Sequence, residues 1–436
     1  MKRWFLFAGL LAISQFLGCE PAARDTSAGL PARSGLSLDG PWAFALDPEK
    51  AGEKEQWWAA EKAFAEKINV PGCWQGQGIG QSNGKLRHHY EGAAWYKKAV
   101  LVPGKWKGKT VWLNIGGAAR YTKVFVNGKM VGEHDGFLTP FRFDISEAVN
   151  TGAENVIALR VDNSGGGPMG CFNYLGNWGG IYRPVTMEAS DNVWIEDVFV
   201  IPDVDRNQAR VKVTLGGRGN IQPFRANLKV KVTYVGGTKG KTFVAEKEID
   251  MKPPQELETE LAVPLSNVKL WSPETPHLYA AEVTLSGGGM QDGQSVRFGM
   301  RKIDCTGERL LVNGRPYFLR GYGDDNIEVI TGLPPASKKF FRQRLRLTKS
   351  FGFNDVRFHS HAPLEECFQA ADEEGMFIQA ELPSVYIFYF LPNKELLRKE
   401  LVRMLKAYRN HPSFFSLAMG NEFYLPALKD DEERQQ

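Results

Sequence analysis

The sequence predicts a multidomain protein in which two β-sandwiches precede a layer of alternating strands and helices. Three observations carry this. With 436 residues and 43% apolar side chains, the chain is long enough for several domains with real cores. Between residues 37 and 302, apolar residues alternate with a period of two in short runs broken by Gly, Asn and Pro. Past residue 303, strand-like runs alternate with helical runs of roughly 10 to 17 residues, the pattern of βαβ units around a parallel sheet.

At the N-terminus, Lys2 and Arg3 precede WFLFAGLLAI, and Phe-Leu-Gly-Cys closes the segment at 16–19, the layout of an export signal. The apolar stretch is too short for a lasting membrane span. Its ending resembles a bacterial lipoprotein cleavage site, in which Cys19 becomes the lipidated first residue and anchors the protein to a membrane. Phe16 stands where Leu is more usual, and an ordinary cleaved signal is the alternative. Either way the chain is expected to be exported, to the periplasm or the cell surface. Residues 20–36 are small and polar and suit a tether.

Residues 37–188 contain TVWLNI, KVFVNGKMVG and NVIALRVDN, with Asn127-Gly128 as a hairpin turn, so an all-β sandwich is expected. Residues 189–302 contain VWIEDVFVI, ARVKVTL, ANLKVKVTYV, YAAEVTL and SVRFGMR at immunoglobulin-domain spacing. The Gly-rich pieces GGRGN and SGGGMQDG lack the strand-loop-helix context of a phosphate cradle and read as hairpin loops. From 303 to 436 the order is strand YFLRGY, helix 335–350, strand NDVRFH, helix PLEECFQAADEEG, strand MFIQAEL, helix NKELLRKELVRMLKAYRN and strand FFSLAM.

Charge and cysteine usage exclude several classes. Lys and Arg number 54 against 50 Asp and Glu, for a net charge of +4, so no dense basic face for nucleic acid is expected. The basic run Lys338–Lys349 has helical spacing and reads as a solvated face. Five cysteines at 19, 73, 171, 305 and 367 match neither a disulfide scaffold nor a metal pattern. There is no Gly-x-Ser-x-Gly elbow.

In a parallel β/α layer, ligand-facing groups gather at the carboxyl ends of the strands. Polar clusters fall on all four predicted ends: Asp324 and Asp325; Arg357, His359 and His361; Glu381; Asn421 and Glu422. Glu422 follows an amide and precedes two aromatics, where partial burial would suit general acid work near neutral pH; a solvated loop carboxylate is the alternative. Arg357 suits anchoring of a hydroxyl or a carboxylate. His359 and His361 at i, i+2 share one side of a regular strand, fitting hydrogen bonding to a polar substrate, a metal for which no third ligand is evident, or a merely structural role for either.

Several stretches resemble glycoside hydrolase family 2, the family of β-galactosidases, β-glucuronidases and β-mannosidases: GNWGGIYRPV at 176–185, LWSPETPHLY at 270–279, FGMRKI at 298–303, NDVRFHSHAP at 354–363 and NHPSFFSLAMGNE at 410–422. The resemblance implies a jelly-roll sugar-binding domain (37–188), an immunoglobulin-like domain (189–302) and the first half of a TIM barrel (303–436). It implies a retaining β-glycosidase acting on terminal β-linked sugars, with Glu422 as acid/base and Asn421 holding the sugar's 2-hydroxyl. Arg357 and His361 match the family's Arg and His at the second barrel strand, with an extra residue between them here. Glu381 matches a pocket-lining position. Asp162, Asn163 and Trp178 match regions where the first domain reaches the sugar pocket, although a turn Asp-Asn and a core Trp are common structural features.

Two departures matter. RGYGDDN replaces the Gly-Val-Asn segment and His-Glu pair that follow the first barrel strand in many relatives, so the sugar is not assigned by analogy. The family's nucleophile lies near the seventh barrel strand, and this sequence carries four, so little activity is expected of the 436-residue chain alone and a second chain completing the barrel is an expected partner. No cofactor is implied, and no motif indicates a divalent or monovalent cation. A non-catalytic, cell-surface carbohydrate-binding protein, using aromatic rings as a sugar platform, is the competing reading.

Overall fold

The computed structural model describes residues 33–422 apart from 60, 83, 85–86, 137–138, 165–177, 237–240, 254–255, 326–327, 329–334 and 384–386. The export signal and Cys19 lie outside the described residues.

The first domain is two antiparallel sheets. The four-stranded sheet runs Ser34–Ser37, Val185–Ser190, Thr110–Ile115, Phe141–Asp144; the six-stranded sheet runs Glu66–Val70, Gly40–Asp47, Ala93–Leu101, Glu154–Asp162, Tyr121–Val126, Lys129–His134. Alternate residues point into one core, where Trp42, Phe44, Trp74, Tyr96 and Trp106 are buried. Asn127 and Gly128 turn the last hairpin at φ +49° and +82°, the backbone that favours this pair.

The second domain pairs a three-stranded sheet (Val193–Asp203, Gln208–Gly217, Leu257–Pro264) with a four-stranded one (Thr242–Met251, Phe224–Tyr234, Tyr279–Gly287, Met290–Phe298). Gly288 and Gly289 form a two-residue hairpin turn. GGRGN does not: it carries the chain from one sheet to the other, because the strands on either side bury their apolar faces in opposite layers. The two domains are locked by Arg33, whose guanidinium bonds Asp292 at 2.7 and 3.0 Å and Glu188 at 3.2 Å with all three side chains buried.

After a short antiparallel sheet (Ile303–Thr306, Arg309–Val312, Arg315–Pro316), four parallel strands follow: β1 (Gly321–Asp324), β2 (Asp355–Phe358), β3 (Phe377–Glu381) and β4 (Phe414–Ala418). They alternate with α1 (Lys338–Ser350), α2 (Glu365–Glu374) and α3 (Ile387–Tyr408). β1 begins later than YFLRGY suggests, since Tyr317 is drawn away to bond Glu274 at 2.7 Å and pack on Phe377. Ser337 caps α1 by accepting from Phe340 N. Gly375 ends α2 at φ +71°, where a Cβ would lie 2.2 Å from Pro273 O, so this junction with the second domain requires glycine.

One face of the sheet packs on the helices through Val356, Phe358, Ile378 and Ala380. On the other, residues two apart along the strands are polar: Asp355 and Arg357, Gln379 and Glu381. The basic run of α1 is not simply solvated. Lys338, Arg342 and Arg346 pair with Glu373 and Glu374 of α2, and Arg344 pairs with Asp324 and Glu328.

The loop between α3 and β4 is fixed by His411, which lies 2.6 Å from buried Asp372 and 3.1 Å from half-exposed Glu365. Burial alone would lower the imidazole's pKa, but the two carboxylates outweigh it and raise it to about 10. With the folded value above the unfolded value near 6.5, this contact stabilises fully below pH ~6.5, and its contribution is lost as pH rises through about 10. Urea titrations between pH 7 and 10 are therefore expected to show stability falling more steeply in the native chain than in His411→Gln. Equal slopes would show that His411 is not charged in the fold.

Candidate functional site

The carboxyl ends of the parallel strands bring three of the expected side chains into one contact network. Arg357 of β2 extends from the polar face and grips Glu381 of β3 with Nε and Nη2, the latter at 3.1 Å, and the same Nη2 donates to Asn421 Oδ1 at 2.7 Å. Glu381 is buried and accepts further bonds from Ser360 N at 2.7 Å and Gln379 Nε2 at 3.1 Å. Ser360 holds φ +51°, a conformation costing a side-chain-bearing residue about 1–2 kcal/mol, and that turn aims its N–H at the carboxylate. The bond to Glu381 is the main cause holding Arg357's pKa above its usual value, with Asp325 and Glu422 contributing through their charge.

Because a guanidinium only donates, Asn421 must present its oxygen to Arg357, which leaves its NH₂ to donate elsewhere. Glu422 follows with φ +55°. The partial burial expected of Glu422 is not observed: its side chain is exposed, since the strand has ended at Ala418 and the backbone turns it outward.

The histidines do not share a side. β2 ends at Phe358 and Ser360 reverses the backbone, so strand alternation no longer applies. His359 Nδ1 meets Asp325 Oδ1 at 2.8 Å near the surface, whereas His361 is buried. Burial, then the positive Arg183, lowers the pKa of His361 to about 3, so it acts as a neutral hydrogen-bonding group. Asp324 is also turned away, to Arg344 of α1 at 3.0 Å. Among the described residues, no cluster of three His, Cys, Asp or Glu side chains is placed to hold a metal ion.

The first-domain candidates have structural contacts. Asp162 pairs with Arg160 at 2.8 Å and caps Ser164 N at 2.8 Å; Asn163 ties Gly92 N and Tyr90 O, each at 2.9 Å. Trp178 is buried in an apolar cluster that joins Tyr182 of the same domain to Phe368 and Tyr408 beneath the parallel sheet. Three residues of the network escaped the sequence reading. Gln379 was discoverable as the residue two before Glu381 in a strand, whereas nothing local marks Ser360. Arg183, within IYRPV, bonds Tyr408 Oη at 2.9 Å and Pro363 O at 3.3 Å, and so braces from the first domain the loop that carries Ser360.

Comparisons with known proteins decide the family. A sequence model described as "Glycosyl hydrolases family 2, sugar binding domain" matches residues 36–190, and one described as "Glycosyl hydrolases family 2" matches residues 193–301. The chain belongs to glycoside hydrolase family 2. It is 25% identical to a β-glucuronidase of Paenibacillus borealis over 421 residues, covering 88% of this chain and 67% of that one. It is 28% identical to a β-galactosidase of Thermoanaerobacter pseudethanolicus over 349 residues, covering 77% and 46%. A family 2 member from Bacteroides cellulosilyticus, 24% identical, shares the fold with a TM-score of 0.76 over 89% of this chain and 53% of its own. The chain thus spans about half to two thirds of the length of these relatives.

Replacing Glu381 by Gln removes the charge that Arg357 grips and leaves a half-exposed guanidinium without its partner. A loss of about 1–3 kcal/mol in urea unfolding is expected, below the value for a fully buried pair because water can reach the guanidinium that remains.

Proposed function

We propose that this family 2 chain carries the acid/base portion of a retaining β-glycosidase site that releases terminal β-linked sugars from oligo- or polysaccharides. The single observation that carries the proposal is the Arg357–Glu381–Asn421 network, which fixes the backbone directly before Glu422. In this reading Glu422 protonates the leaving glycosidic oxygen and later deprotonates water. Asn421, with its oxygen committed to Arg357, donates its NH₂ to a sugar hydroxyl. His359 and Asp325 flank the mouth. The names of the relatives make hexose and hexuronic acid glycosides the first substrates to test.

Retaining hydrolysis needs a second carboxyl group roughly 5–5.5 Å from the first. Glu381 is unsuited, because Arg357, Ser360 and Gln379 already occupy its oxygens. The nucleophile then comes from elements outside the described residues, in the same polypeptide or a partner, and the four parallel strands are part of a (β/α)₈ barrel. The outline of the segment supports this. β1 and β4 are its edges, and its exposed large apolar side chains belong to the elements at its two ends: Phe318, Leu347 and Phe351 at one, Val402, Leu405 and Met419 at the other. We also propose export, with Cys19 as a lipid anchor.

The competing reading, a non-catalytic sugar-binding protein, has less support. The first domain's rings are mostly used in its own core, and among the described residues its exposed large apolar side chains are Leu101 and Met130, neither of them aromatic.

In a preparation that hydrolyses 4-nitrophenyl β-glycosides, Glu422→Gln is expected to lower kcat about 10²–10⁴-fold for poor leaving groups and much less for dinitrophenyl glycosides. Equal losses for both leaving groups would remove Glu422 from the acid role. The 436-residue chain by itself is expected to associate with rising concentration through its apolar ends, as read by sedimentation velocity, and Phe318→Ser with Phe351→Ser to reduce that association. A strictly monomeric native chain would show that these ends are already covered.

A further inference from the structure

A cavity of about 230 Å³ lies where the second β domain meets the loop between α3 and β4, away from the strand ends that carry Glu422. The second domain contributes Val200, Phe298 and Arg301 to its wall, and the loop contributes Arg409, Asn410 and His411. Cationic side chains line it and no carboxylate does. Behind the wall, Arg409 is paired with Asp197 and His411 with Asp372 and Glu365, so their charges are met.

Arg301 differs. Its described hydrogen bond is a single one, Nη2 to Phe414 O at 2.7 Å; it forms no ion pair among the described residues, and Asp372, already paired with His411, acts on it only through its charge. Of the five N–H donors of a guanidinium, four are left. The wall itself is held in place: Asn410 accepts from Val200 N at 2.9 Å and donates to Val198 O at 2.7 Å. Water could meet these donors, but it cannot neutralise a guanidinium held in a partly desolvated junction. At about 30 Å³ per water the space admits a tetrahedral anion with a few waters beside it.

We propose that this cavity binds a small oxyanion (phosphate, sulfate or the carboxylate of a small organic acid) through the remaining donors of Arg301, and that the bound anion ties the second domain to the β/α segment. The site is independent of the proposed hydrolytic reaction.

Isothermal titration of the 436-residue chain with inorganic phosphate, at fixed pH and with chloride keeping ionic strength constant, tests this. One saturable phosphate per chain is expected, displaced by sulfate; displacement by acetate at lower concentration than by sulfate would identify the occupant as a carboxylate. Arg301→Gln, its fold checked by circular dichroism, is expected to weaken binding by about tenfold or more. Pro202 also lines the cavity, and Pro202→Glu is expected to abolish binding by placing a carboxylate against Arg301. Where Arg301→Gln does not fold, Pro202→Glu decides alone. No saturable binding of any of the three anions to the native chain overturns the proposal, and so does binding that survives Pro202→Glu unchanged.

Discussion

A planar guanidinium spanning three strand ends is the constraint on which the candidate site depends. Arg357 sits on β2, Glu381 on β3 and Asn421 just past β4, and one side chain reaches across all three because the strands are parallel and, after a register shift between β3 and β4 at Ile378–Gln379, set Arg357 opposite Gln379 and Glu381 opposite Ala418. A slip of one residue in β3 would turn Glu381 toward the helices and Ile378 or Ala380 toward Arg357. The register is therefore set by the apolar face, where Val356, Phe358, Ile378 and Ala380 have nowhere else to go, and the polar face inherits its alignment from them.

The two β domains act on the same network from behind. Arg183 and Trp178 of the first domain reach the cluster beneath the sheet, and Arg183 holds the carbonyl of Pro363, three residues past Ser360. Trp271, at the end of the second domain, donates to Asp372 O at 2.9 Å, and Arg297 pairs with Glu373. Both attachments fall on α2 and the loop before it, the element that joins β2 to β3. The span between Arg357 and Glu381 is thus braced from both sides.

The sequence made some of this legible and hid the rest for a physical reason. The strand pattern placed Arg357 and Glu381 at neighbouring strand ends, and Asn127-Gly128 announced its turn, because these are local rules. His361, Asp324, Asp162 and Trp178 carry the same chemical types as site residues, yet their roles depend on what arrives from elsewhere in the chain. Burial, followed by the charge of Arg183 from another domain, makes His361 a neutral group, and Arg344 of α1 claims Asp324. The assumption that β2 ran on through His361 failed at Ser360, whose left-handed backbone is compensated by a bond to a carboxylate twenty-one residues away.

The same distinction separates position from reactivity at Glu422. The network beside it fixes where the backbone delivers the carboxylate, but a general acid working near neutral pH also needs surroundings that disfavour its charge. Arg357 does the opposite, placing positive charge within electrostatic reach of Glu422. Because Glu381 already meets most of that charge, Arg357 can orient Asn421 without holding Glu422 in an ion pair. A buried carboxylate that saturates the arginine is then a condition for a working acid next to it, and this gives Glu381 a role in the proposed chemistry that needs no contact with substrate.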